Sequence, residues 1–117
     1  MTIERIGLAA RYCDAAIFNG IVFLAGHVAE KTEGASLTEQ TEEVLALLEG
    51  TLAQAGSRKE RILSVQIFLT DISKIGEMNA VWDKWVAKGH SPARATVEAK
   101  LASSGYAIEI TAVAAKG

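Results

Sequence analysis

The alternation of apolar and polar positions divides the chain into a series of short elements. Ile3 to Ile6 is a weak apolar start. Tyr12 to Phe18 and Ile21 to Ala25 are two β-compatible runs separated by Asn19-Gly20, the dipeptide that most strongly marks a two-residue hairpin turn. From Leu37 the period becomes helical. Leu37, Thr41, Val44, Leu45, Leu48, Leu52 and Ala55 fall on one stripe, with Glu39, Glu42, Glu43, Glu49 and Gln54 on the remainder; that is the pattern of an amphipathic helix. Ser36 and Glu39 have the spacing of a capping box, and Gly56 stands where a helix stops.

Ile62 to Leu69 is mostly apolar, as in a buried strand. Asp71 is placed to cap a second helix carrying Ile72, Ile75, Met78, Val81, Trp82 and Trp85 at three- and four-residue spacing, ended by Gly89. After the single proline, Pro92, the segment Arg94 to Leu101 alternates: Val97, Ala99 and Leu101 on one face, Arg94, Thr96, Glu98 and Lys100 on the other. Ser103-Ser104-Gly105 turns the chain into a last strand, where Ile108, Ile110 and Ala112 oppose Glu109, Thr111 and Val113. The order β-β-β-α-β-α-β-β predicts an α+β or α/β sandwich of two layers. Two helices cover one sheet face. The other, with residues such as Thr96, Thr111 and Val113, is too polar for a second layer and too apolar to be simply solvated. Association through that face resolves the mismatch.

Composition narrows the classes. The 117 residues suit one domain over 1–117. Twelve basic residues against fourteen acidic ones give a net charge of −2, without the basic surplus of a nucleic-acid binder. There is no polybasic patch and no apolar run near the roughly 20 residues of a membrane span. Met1-Thr2-Ile3-Glu4-Arg5 lacks the build of a signal peptide. The expectation is a cytoplasmic protein with no nucleic-acid and no membrane partner. The lone Cys13 fits that compartment.

Pro92-Ala93-Arg94-Ala95-Thr96-Val97-Glu98, followed by Ala107-Ile108-Glu109-Ile110, resembles the closing signature of the RidA/YjgF reactive-intermediate deaminase family. Tyr12, the Asn-Gly hairpin, Leu24-Ala25-Gly26 and Met78-Asn79 also match family positions, so the resemblance spans essentially the whole chain. It implies a chorismate-mutase-like α+β fold, a two-layer sandwich of a mixed sheet with two helices on one face. It also implies a homotrimer with an inner barrel and sites in the clefts between subunits. The implied activity is hydrolysis of 2-imino and enamine acids, such as 2-aminoacrylate or 2-iminopropanoate, to 2-keto acids and ammonium, with no cofactor. Two alternatives stand beside it: a pathway-dedicated aminoacrylate or aminomuconate deaminase, and a non-enzymatic trimeric small-molecule-binding or chaperone-like protein using the same cleft. The presence of Arg94 favours the deaminase.

Individual residues carry this chemistry to different degrees. Arg94 offers a rigid fork that matches a carboxylate with two charge-assisted hydrogen bonds; as a plain surface residue it would instead pair with Glu98 or Glu109. Glu109, set between Ile108 and Ile110, reads on pattern alone as an outward, solvated position of an alternating strand; the resemblance implies a general base or proton carrier there. Were Arg94–Leu101 and Ala107–Ala114 to pair through the short turn, Glu98 would fall opposite Glu109, and two close carboxylates raise one pKa. By resemblance, Tyr12 lines the pocket, Asn79 orients a loop and the Thr96 backbone carbonyl meets the water or amine. Gly26 either lets its N–H approach a ligand or only turns the chain. His27 replaces the glutamine common after that glycine, and is read as packed near the cleft. His27, His90 and Cys13 lack metal-motif spacing, so no metal is expected. A Cys13 nucleophile is rejected, and Trp82 and Trp85 are read as core.

Overall fold

A computed structural model describes residues 2–117. Six strands form one mixed sheet in the order β1-β2-β3-β6-β4-β5: β1 Glu4–Ile6, β2 Ala15–Phe18, β3 Ile21–Val28, β4 Ile62–Leu69, β5 Ala93–Glu98 and β6 Ile108–Ala115. Helices α1 Leu37–Gln54 and α2 Ile75–Trp85 lie on one side. The expected element order and two-layer α+β architecture are therefore present.

Asn19-Gly20 closes β2 onto β3 with both residues at positive φ, 54° and 77°, the requirement of a type I′ turn. Ser36 caps α1 by accepting from the Glu39 N–H at 3.2 Å. At the other end Gly56, at φ 77°, gives its N–H to Ala53 O while Ser57 N–H reaches back to Leu52 O, the two bonds of a Schellman stop. The predicted stripe of α1 is buried, joined by Gln40 and Thr51. It packs over Ile17, Val22, Leu24, Val65, Ile67, Ile108, Ile110 and Ala112 of the sheet. Gln40 is a buried amide with its needs met: it donates to Ala35 O and Gly105 O at 3.0 Å and accepts from Ala107 N–H at 2.9 Å. It ties the loop before β6 to α1. No helix among the described residues is long and apolar enough to cross a membrane.

Several boundaries and one pairing differ from expectation. Tyr12 lies outside β2, in the loop that precedes it. Asp71 caps a 3-10 turn over Ile72–Lys74 instead of α2. The second helix ends at Trp85, and Gly89 belongs to the following turn. The largest difference concerns β5. It pairs with β4 in parallel and never touches β6. β4, α2 and β5 make a crossover unit, the connection a parallel pair requires, and β6 is inserted between β3 and β4. Glu98 aligns with Leu69 across β4, while Glu109 aligns with Phe68 on the other sheet face. The Glu98–Glu109 pair does not form; Glu98 instead accepts from Ile72 N–H at 3.1 Å.

The open face carries Phe18, Phe23, Gln66, Phe68, Val97, Thr111 and Val113, by register. Phe23 remains 51% exposed and Val97 45%. Thr96 is not on this face. It aligns with buried Ile67 and points to the helix side.

Candidate functional site

The parallel register of β5 sets Arg94, Thr96 and Glu98 on the helix side, beside α2. The Arg94 guanidinium carbon sits 5.3 Å from the centre of the Trp82 ring, in cation–π range. Arg94 is exposed, and it pairs with neither Glu98 nor Glu109: among the described residues the one ion pair is Lys116–Glu4 at 3.8 Å. Two buried polar atoms, Asn79 Oδ1 on α2 and Thr96 Oγ1 on β5, have no hydrogen-bond partner among the described residues. Asn79 precedes Trp82 by about one helical turn and Thr96 follows Arg94 by two strand residues. Arg94 of β5 is thus held on the Trp82 ring of α2, while Asn79 and Thr96 each bury an oxygen that accepts and donates no hydrogen bond among the described residues.

Glu109 is built differently. It aligns with Val28 on β3 and Phe68 on β4, on the open face. Between Leu24 and His27 the β3 register shifts, so that Ala25 and Gly26 stand opposite the single Thr111. That is a bulge. The Glu109 carboxylate fills the space beside Gly26, where an added Cβ would fall 1.9 Å from Oε2. A side chain at position 26 would therefore push the Glu109 carboxylate out of this place.

Tyr12, 64% exposed, lies in the loop 7–14 with Arg5, Leu8 and Cys13 around it. This loop leads into β2, while Arg94 lies on β5. The four intervals between those strands put about 19 Å between the two. Arg94 and Glu109 also project from opposite faces. One copy of the chain brings Arg94 onto Trp82, with Thr96 on the same strand, and Gly26 against Glu109, but it does not bring these two groups to each other or to Tyr12. A depression of about 500 Å³ on the open face is lined by Ser64, Gln66, Ala93, Ala95, Thr111 and Val113, with Arg94 at its margin. A similar groove between α1 and α2, bounded by Leu45, Val81 and Trp85, contains none of the expected site residues.

Two contributions escaped the sequence pattern. Trp82 is buried core, as expected, but it is also the platform under Arg94. By sequence Glu43 is only part of the polar side of α1. Its carboxylate accepts from the Thr32 hydroxyl at 2.6 Å and from the N–H groups of Glu30, Lys31 and Thr32. These bonds, the Thr32 hydroxyl foremost, bring its pKa down from 4.5 to about 2. A run of three N–H groups against one distant carboxylate has no local sequence signal.

The Endoribonuclease L-PSP family model matches residues 2–116. The chain belongs to this family. It is 45% identical over 114 residues to a RutC family protein of Haemophilus influenzae, covering 97% of this chain and 98% of the other. It is 43% identical to the RutC family protein YoaB of Escherichia coli, over 98% and 99% of the two chains. Among solved structures, a YjgF family member from Neisseria meningitidis superposes with a TM-score of 0.96 at 44% identity, covering 100% of this chain and 97% of that one. The RidA/YjgF resemblance and its α+β fold thus hold over the whole length.

Proposed function

We propose that the protein hydrolyses small 2-imino or enamine acids to 2-keto acids and ammonium, at sites shared between copies of a homotrimer. The observation that carries this reading is Arg94: an exposed guanidinium held on Trp82 with no carboxylate partner among the described residues, on the strand that also carries Thr96. A 2-imino acid presents a carboxylate for the fork, and its iminium N–H groups suit a free oxygen acceptor. Glu109, fixed against Gly26, serves as the base. It takes a proton from water as the oxygen adds to the C=N carbon. It then returns that proton to the nitrogen; the carbon–nitrogen bond breaks with release of ammonia, and the hydroxyl proton passes to the ammonia as the C=O forms, so that one water and one iminium become one keto acid and one ammonium.

The separation of Arg94, Glu109 and Tyr12 within one chain supports assembly. The β5 edge of one copy has to meet the bare sheet face of the next for these groups to share a substrate. The exposed Phe23 and Val97 of that face supply the apolar contact. The family's name carries ribonuclease chemistry; a net charge of −2 and a site built around one guanidinium suit a single carboxylate better than a phosphate chain. We read the protein as cofactor-independent, cytoplasmic and organised as one domain over 1–117.

The test generates imino acids in place with an amino-acid oxidase or dehydratase and follows keto-acid release. Expected is acceleration over the uncatalysed rate that survives chelator. Absence of acceleration by a protein that light scattering shows to be trimeric would favour the binding-module alternative. A stable monomer at micromolar concentration would remove the shared site.

A further inference from the structure

The β3 bulge acts on both faces of the sheet. Upstream of it Val22 and Leu24 face the helices; downstream, His27 takes that direction, aligned with buried Ile110. From the same ribbon Gly26 meets Glu109 on the opposite face. The imidazole is thus fastened to the segment that seats Glu109, from behind.

Both ring nitrogens are engaged. Nδ1 lies 2.7 Å from Ala25 O, the carbonyl inside the bulge, and Nε2 lies 2.9 Å from Thr51 Oγ1 on α1. A carbonyl only accepts, so this network assigns a proton to Nδ1. With a neutral ring, Nε2 accepts from the Thr51 hydroxyl. With a charged ring, Nε2–H donates to Thr51 Oγ1 and the hydroxyl turns to Leu47 O, 3.2 Å away. The tether therefore survives either protonation state. Asp14 and Glu30 line the cleft beside the ring with Gln54, and Glu109 faces the ribbon from the other side.

We propose that His27 is a positioning residue: bonded to the Ala25 carbonyl and to Thr51, it holds the Gly26 backbone where Glu109 is seated. The inference rests on the reading of Glu109 as the proton-transfer group. A reacting side chain stays in productive geometry only if its support is itself locked, and here the lock is a side chain anchored on a helix.

The test compares wild type with His27→Ala, His27→Asn and Thr51→Val, measuring keto-acid release and the ¹³C titration of the Glu109 carboxyl. An asparagine amide reaches the Nδ1 position and keeps the bond to Ala25 O; valine keeps the shape of threonine without its hydroxyl. His27→Ala should lower kcat about tenfold or more with KM within about twofold, because misplacing a reacting group costs turnover before binding. His27→Asn should recover most of the loss, and the Glu109 titration midpoint should move in the alanine variant and return in the asparagine one. A His27→Ala protein with lowered Tm but unchanged kcat and unchanged Glu109 titration would reduce His27 to packing and overturn the proposal. If His27→Ala fails to fold, Thr51→Val is judged by the same two readouts. If the wild type releases no keto acid, the functional reading fails. The Glu109 titration then decides the inference alone: moved by alanine and restored by asparagine sustains it, unmoved overturns it.

Discussion

The β5–α2 edge and the β3–β6 centre hold the two charged groups on which the proposed chemistry depends, and they hold them in opposite ways. At the edge, Arg94 has a ring beneath it but no carboxylate, and Asn79 Oδ1 and Thr96 Oγ1 are buried without partners. At the centre, Glu109 is packed against Gly26, and His27 behind it has both nitrogens bonded. A buried polar atom left unpaired costs about 1–3 kcal/mol. The β5–α2 edge of the free chain carries two such atoms. At the centre the His27 ring has its bonds made in the free chain. In the proposed reading, recognition is left open while the support of the reacting group is already built.

The contrast breaks first under substitution of the charged groups themselves. Glu109→Gln keeps shape and removes the base, so kcat should fall by roughly 10²-fold or more with KM spared. Arg94→Ala should instead raise KM and lower kcat/KM by about 30-fold or more, the effect of losing a bidentate charge pair worth about 2–5 kcal/mol. Lysine should rescue it poorly, because it keeps the charge without the fork. Steady-state kinetics on one imino acid reads both. Near-wild-type turnover by a trimeric Arg94→Ala protein would defeat the carboxylate anchor.

Two threonines sharpen the comparison at lower amplitude. Thr96→Val removes an unpaired buried hydroxyl, so it should stabilise the free protein by about 1 kcal/mol while weakening ligand binding. Thr51→Val removes a hydroxyl that serves His27 and should destabilise by about the same amount. Thermal unfolding with and without a keto-acid ligand gives the two signs. Equal destabilisation by both would show that the Thr96 hydroxyl already has a partner.

How much of this was legible depended on the range of the interactions. The hairpin, the α1 stripe and its two caps are set by residues within about four positions of each other, and the sequence pattern located them. The β3 strand reads as ending at Ala25 because the bulge reverses the alternation there; the strand itself continues to Val28. Two neighbouring alternating runs joined by a short turn suggest a β5–β6 hairpin. It fails because the α2 crossover lays β5 parallel to β4, and chain proximity says nothing about that choice. Arg94 and Glu109 stood out as a motif, but their opposite faces, and the ring under Arg94, follow only from register.

The smallest expected effect extends the fixed centre along the chain. The segment that follows β3 is held by Glu43, whose carboxyl is drawn from 4.5 to about 2 by the Thr32 hydroxyl and then by the N–H groups of Lys31, Thr32 and Glu30. A depressed carboxyl stabilises the fold fully above its unfolded value. As pH falls from about 4.5 towards about 2, the unfolded chain takes up the proton first and the contribution is lost. In the folded protein the amide resonances of Glu30, Lys31 and Thr32 should move together as Glu43 itself protonates, at about 2, the acid end of that window. Asp71 gives an internal control, since the Ser73 hydroxyl and N–H also lower its carboxyl. Glu43→Gln presents one oxygen and one NH₂ to the same donors. It should shift the three amides at neutral pH and abolish their acid transition, while Ser73 continues to follow Asp71. If the three amides titrated unchanged in Glu43→Gln, another carboxylate would be holding the loop.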